Sequence, residues 1–335
     1  MSIFYANSAG SQGTGDGSTE ANACTLKQAV ENDGVLHTSL AAGDTIYCKG
    51  GTTITYDGSA GVFVTIAVDG TAASPIKLIS YTTTVNDGGV TTIEDSNAGA
   101  TNYCFNISAA DFWYVQGLKI INPRRAFECG SNQGCHFVDI EVVGGVQQCF
   151  NHSGTNVQNI YDRIYIHDCT YIGIIEQSRS SRIINSVIIN CGDLGISALS
   201  ASYGTTILSC IIHKCDGIAI NYGAVVKNCV INRSVNSGIV IANDYAVTIE
   251  NTVISNSGGY AYEATTSATV IARNNCVYNP ISGKSSGGIT IIDDRGEITS
   301  DPTFVSENPA TPTDADFTPD TGSPLINSGI GPVGY

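Results

Sequence analysis

The chain has 335 residues and a formal net charge of −15, with 37 glycines, twelve cysteines and a single methionine and tryptophan. That acidity excludes a nucleic-acid partner, because binding phosphates needs a positive field that the composition does not supply. No apolar run has the length of a bilayer span, so membrane insertion is excluded as well.

In chain order, Met1-Ser2-Ile3-Phe4-Tyr5 has neither the basic start nor the apolar run of a secretory leader, which predicts synthesis in the cytosol. A Gly/Ser-rich stretch from Tyr5 to Gly17 leads to Thr25-Leu26-Lys27-Gln28. A threonine three residues before a glutamine is a capping-box pattern, and Leu26, Ala29 and Val30 share a helical face, with Gly34 as a stop. A short amphipathic helix is therefore expected near the start. Ala42-Gly43-Asp44-Thr45-Ile46-Tyr47 then opens the first strand.

Beyond it, an aliphatic residue recurs about every 23 residues, at Leu118, Ile140, Ile164, Val187, Ile211, Val230, Val253 and Val277. A fixed period of that size means one structural unit stacked on copies of itself. Two residues before most of these anchors stand Asp162, Asn185, Ser209, Asn228, Asn251 and Asn275. Such side chains bond their own turns and tolerate left-handed backbone, so they read as a ladder of corners. Units close on a glycine followed by a β-rich run, as at Gly195-Ile196-Ser197, Gly217-Ile218-Ala219, Gly238-Ile239-Val240 and Gly288-Ile289-Thr290. No segment between them has the length or periodicity of a crossover helix.

Cys169, Cys191 and Cys215 fall at one repeat position, followed there by Ser234 and Ser257, while Cys210, Cys229 and Cys276 share another. Interchange with serine points to small stacked side chains, and stacked Cβ vectors that point the same way strain a disulfide, so reduced buried thiols are expected. At the end, Asp301-Pro302-Thr303-Phe304, Asp316-Phe317-Thr318-Pro319 and Gly322-Ser323-Pro324-Leu325 suit an extended strap across the last rung.

With its asparagine ladder and rung pattern, the chain resembles the right-handed parallel β-helix proteins, the pectate-lyase-like superfamily of polysaccharide lyases, pectin-type hydrolases and phage tailspikes. The resemblance implies an all-β, single-domain right-handed parallel β-helix solenoid with an N-terminal capping helix and a C-terminal strap. Residues 1–36 would form the N-terminal segment and cap, 37–300 the rungs and 301–335 the closing segment.

Two sets of residues are candidates for chemistry. Arg179, Tyr203, Tyr222 and Tyr245 each stand four residues before the apolar residue that opens a rung (Ile183, Ile207, Val226, Ile249), which makes one vertical file. Aromatic faces beside a guanidinium suit pyranose rings, and they equally suit stacking or subunit packing. Residues 116–200 are nearly charge-balanced and hold Arg124, Arg125, Glu128, Arg163, Asp168 and Glu176. Glu128, Asp168 and Glu176 are the carboxylates a glycosidase would need. In this superfamily lyases use an arginine or lysine base, which nominates Arg163, with Arg124 and Arg125 as ligand-binding residues. Asp168, Asp193 and Asp216 all precede turns, where a structural role also explains an aspartate.

The Asn-Thr-Asp, Gly-His-Gly and Arg-Ile-Lys sets of pectin-type hydrolases are missing, so no catalytic residue carries over from the family. No Cys-x-x-Cys pair marks a metal site, and no cofactor is expected; Ca²⁺ at Asp293, Asp294, Glu297 and Asp301 is a weak match to known loop spacing. These features lead to an expected non-enzymatic bacteriophage virion surface protein, a head-decoration or tailspike-like element. Its partners would be copies of itself, other virion proteins and host glycans. The alternatives are a secreted polysaccharide lyase or glycoside hydrolase acting on acidic or neutral polysaccharide, and a surface carbohydrate-binding module.

Overall fold

A computed structural model describes the chain except residues 32, 33, 35, 37, 38, 57–60, 98–102, 131, 155–157, 199–203, 222, 243–245, 307–315 and 326–335, with backbone alone at 293–295. Strands joined in parallel dominate it, and the fold is a right-handed parallel β-helix. The residues divide into two compact units, Met1–Tyr165 and Ile166–Tyr335.

In the first unit, the helix Leu26–Val30 forms where the capping box predicts it. Thr25 accepts from the Gln28 amide, the Gln28 side chain accepts from the Thr25 amide, and Leu26, Ala29 and Val30 are buried. One sheet runs in parallel register from Ile3–Asn7 through Thr45–Lys49 and Ile76–Tyr81 to Trp113–Gln116 and His136–Val143. The other stacks Val64–Thr65, Tyr103–Asn106, Arg125–Cys129 and Phe150–His152. Because each coil delivers the same register position to the interior, Phe105, Phe127 and Phe150 stack at 5.1 and 4.8 Å between ring centroids. That ladder of buried rings is the unit's core.

The second unit repeats more tightly. Ile183, Ile207, Val226 and Ile249 pair in one column and Val187, Ile211, Val230 and Val253 in the next. Ile174–Glu176, Ile196–Ala198, Ile218–Ile220, Ile239–Ile241, Tyr260–Ala264 and Gly283–Ser285 form the second sheet. The Gly288 run belongs elsewhere than expected: Ile289–Arg295 pairs with Ala268–Arg273 in the first sheet.

Asn185, Ser209, Asn228 and Asn251 turn the corner with φ between 49° and 54°. At the other two expected corners the left-handed residue is a neighbour, Arg163 instead of Asp162 and Asn274 instead of Asn275. The slip at Asn274 puts Cys276, not Val277, opposite Val253. Asn275 instead turns inward, accepting from the Thr252 amide (3.0 Å) and donating to the Ile249 carbonyl (2.9 Å). Cys276 therefore leaves the column of Cys210 and Cys229.

All twelve cysteines are buried and none forms a disulfide. Burial pushes Cys48 and Cys135 up to about 12, which makes them inert thiols rather than nucleophiles.

The closing segment departs from the expected course. Phe304–Ser306 and Asp316–Pro319 form an antiparallel hairpin. Phe304, Phe317 and Leu325 pack on Ile211, Val230, Val253 and Cys276, so the strap runs up a flank across four rungs. The physical reason is that Ile211, Val230 and Val253 lie on the face that meets the hairpin, while strand alternation turns Ile212, Ile231 and Ile254 to the opposite face; left bare, the first three would form an apolar stripe.

Candidate functional site

In the first unit the sequence candidates close on one another. Arg125 donates to Glu128 Oε2 (2.7 Å) and Gln148 Oε1 (2.9 Å) and lies over the Tyr103 ring. Both Glu128 oxygens also accept from Asn151 Nδ2 at 3.0 Å. Arg163 forks onto Asp139 through Nε (2.6 Å) and Nη2 (3.0 Å), and its Nη1 meets Asp162 at 2.8 Å. The Arg163 hydrogen bond holds the Asp139 carboxyl below its ordinary range. A guanidinium engaged this way is a structural clamp and has no lone pair to act as a base. Arg124 is half-buried, and its carbonyl accepts from the Gln147 amide.

In the second unit Asp168 occupies a left-handed corner, φ 57°. Its carboxylate accepts from His167 Nδ1 (3.0 Å) and Asn190 Nδ2 (2.7 Å), and those bonds hold it low and ionised. Glu176 is fully buried among Ser178 and Ser181, which removes it from contact with any polymer on the surface. Arg179 is exposed. Tyr203, Tyr222 and Tyr245 lie outside the described residues, so the aromatic file has no described geometry beyond Arg179.

A concave feature of the second unit lies elsewhere, as an open groove of about 560 Å³ on the outer face of the second sheet. Its floor is the outward file Ala219, Val240 and Glu263, which the strand register places directly above one another. Its wall is built from the turns that enter those strands: Asp193, Leu194, Asp216, Asn236, Ser237 and Tyr260. The Asp216 carboxyl accepts from Asn236 Nδ2 at 2.8 Å. Glu263 accepts from Ser237 Oγ at 2.6 Å, and that oxygen accepts in turn from the Tyr260 amide. Burial pushes Asp216 above its ordinary range, and the Asp193 charge adds to the shift against the opposing Asn236 bond.

Neighbouring residues of one turn, Asn236 and Ser237, thus hold two carboxyl groups that belong to the rungs on either side. Two rungs correspond to about 9.5 Å between backbones along the stack, and the register sets Glu263 above Ala219, three residues beyond Asp216. None of the described lining residues is Arg, Lys or His. Sequence reading passed over this site because Asp193 and Asp216 looked like turn residues. The available signal was spacing: 23 residues separate Asp193 from Asp216, one repeat.

The model of the right-handed β-helix region matches residues 103–243 and 151–305, together well over half of the sequence. The chain belongs to the right-handed β-helix family. Among solved structures this β-helix is similar to the pectate lyase Pel9A, at 16% identity and a TM-score of 0.62 over 98% of this chain and 91% of that one. It is also similar to a rhamnogalacturonan lyase, at 12% and 0.57 over 99% of each chain. An alginate lyase from Paenibacillus sp. matches at 13% and 0.57 over 86% of this chain and 99% of that one. At such identities the likeness is one of fold. No curated protein sequence matches the chain.

Among the described residues no three His, Cys, Asp or Glu side chains converge as a metal site. Of the residues considered for Ca²⁺, Glu297 is paired with Lys284, and the side chains of Asp293 and Asp294 lie outside the described residues. No helix among the described residues is long and apolar enough to cross a membrane.

Proposed function

We propose that this β-helix acts on an uncharged polysaccharide held in the groove of the second unit, hydrolysing it with Asp216 as general acid and Glu263 as general base. The observation that carries the reading is the carboxyl pair itself: one member is raised by burial and the other lies two rungs away, with no Arg, Lys or His among the described lining residues. Inverting glycosidases set an acid and a base carboxyl group far enough apart to leave room for the attacking water. Protonated Asp216 gives its proton to the leaving glycosidic oxygen. Glu263 takes a proton from the water that bonds to the anomeric carbon.

A lyase reading has less support at this site. Elimination from a uronate needs a base and a positive charge beside the carboxylate, whereas Asp193, Asp216 and Glu263 repel a polyanion. Structural neighbours named as lyases of acidic polysaccharides support a glycan ligand and leave the reaction open. The test is release of new reducing ends from a panel of neutral and acidic polysaccharides. Turnover of a neutral glycan that Asp216→Asn abolishes supports the reading, and turnover restricted to polyuronates sinks it.

A second reading, the non-catalytic virion surface element, draws on a different observation, twelve buried cysteines without a disulfide among them. Cysteines held outside disulfides suit synthesis in a reducing cytosol. Binding of a host glycan without any product, together with recovery of the chain in purified virions, would favour it over hydrolysis.

A further inference from the structure

The closing hairpin covers a histidine that the groove chemistry leaves unused. His213 is fully buried, with Nδ1 3.0 Å from Asn232 Oδ1 and its ring edge-on to Phe317, 5.2 Å between centroids. Asn232 Nδ2 donates to Ser255 Oγ at 2.8 Å, so Oδ1 is the acceptor and the proton of the neutral ring sits on Nδ1. Nε2 therefore carries a lone pair in a buried position, where it has no hydrogen-bond partner.

The neutral ring leaves only a buried acceptor without a donor, whereas a proton added at Nε2 creates a buried cation with no acceptor, which costs far more. The elements packed around it offer no relief. Phe304, Phe317 and Leu325 on the hairpin side and Ile211, Val230 and Val253 on the coil side are apolar. Lys214 and Arg233 are the charged groups that act on the ring, and both are cations that oppose a further positive charge. Asp316, next to Phe317, accepts from the Thr318 amide and is exposed, while Glu297 and Asp301 act on Cys276, farther up the flank.

We infer that the C-terminal hairpin is an acid-released latch: protonation of His213 expels Phe317 and uncovers the aliphatic column Ile211, Val230, Val253 and Cys276. Burial, reinforced by Lys214 and Arg233, pushes His213 down to about 4 from its ordinary 6.5. The latched state therefore prefers the neutral ring, and the released state takes up a proton more readily. Closure has its full strength above pH 6.5 and weakens as pH falls towards 4. The open fraction rises about tenfold per pH unit, to on the order of 300-fold in all.

Cys276 supplies the reporter, because it is buried beneath the hairpin, whereas Cys210 and Cys229 are buried in the coil. The experiment is pulse labelling of the full chain with a dipyridyl disulfide, which reacts with thiols in acid, from pH 7 to pH 3.5. Labelling at each cysteine is mapped by mass and normalised to the unfolded chain at the same pH. The latch predicts that Cys276 labelling accelerates about tenfold per unit below pH 6.5 while Cys210 and Cys229 stay protected. It also predicts that His213→Gln and His213→Asn flatten the dependence, and that Phe317→Ala labels Cys276 rapidly already at pH 7. A flat profile at Cys276, simultaneous labelling of all three thiols, or an unchanged profile in either histidine variant that keeps Cys210 protected would overturn it.

Discussion

The outer faces of the two units handle charge in opposite ways. In the first, Arg125 is neutralised by Glu128, and Arg163 by Asp139 and Asp162. In the second, Asp193, Asp216 and Glu263 share a groove with no described cation in its lining, and Asp216 is raised as a result of burial and the Asp193 charge. Like charges left together weaken a fold. Their retention at a concave surface, where chemistry has room, points to function, whereas closed ion pairs point to scaffold.

Five replacements would break or sharpen that contrast. Asp216→Asn and Glu263→Gln are expected to lower turnover of a neutral glycan by about 10²–10⁴-fold with the fold intact, measured as initial rates beside thermal unfolding. In the parent protein the rate should fall as pH rises through the raised value of Asp216, because the proton donor is lost. Introducing a cation on the groove floor, Val240→Lys, would give the second unit the character of the first. It should move that alkaline limb to lower pH, which a pH–rate profile reads directly. Replacing a left-handed corner, Asn251→Ala, should cost about 1–2 kcal/mol in denaturant unfolding, since only Gly and, less well, Asn or Asp accept that backbone readily. Arg163→Ala breaks an ion pair half exposed to water and should cost at most about 1 kcal/mol, with turnover unchanged.

Much of the fold was legible because it is local and repeated. The Thr25–Gln28 box needs only four residues, and the corners at Asn185, Ser209, Asn228 and Asn251 follow from side-chain chemistry at a fixed offset. The register slipped where two asparagines adjoin: Asn274 took the corner and Asn275 turned inward. The groove was not legible, because an aspartate before a turn looks the same whether it is held low, as Asp168 is by His167 and Asn190, or raised by burial, as Asp216 is. Only the partners tell them apart. The strap was misplaced for a similar reason. Val187, Ile211, Val230 and Val253 were marked by period alone, and period does not say which face of a two-sided strand they occupy.

The most direct measurement is a carbon NMR titration of the aspartate carboxyl groups in the intact protein, with assignments made by single replacements. The contrast between a closed scaffold and an open site predicts that Asp139 and Asp168 titrate below the ordinary 3.8 and Asp216 above it. An Asp216 that titrates at or below 3.8, alongside Asp139, would contradict the account, because the groove would then hold no acid able to protonate a leaving group.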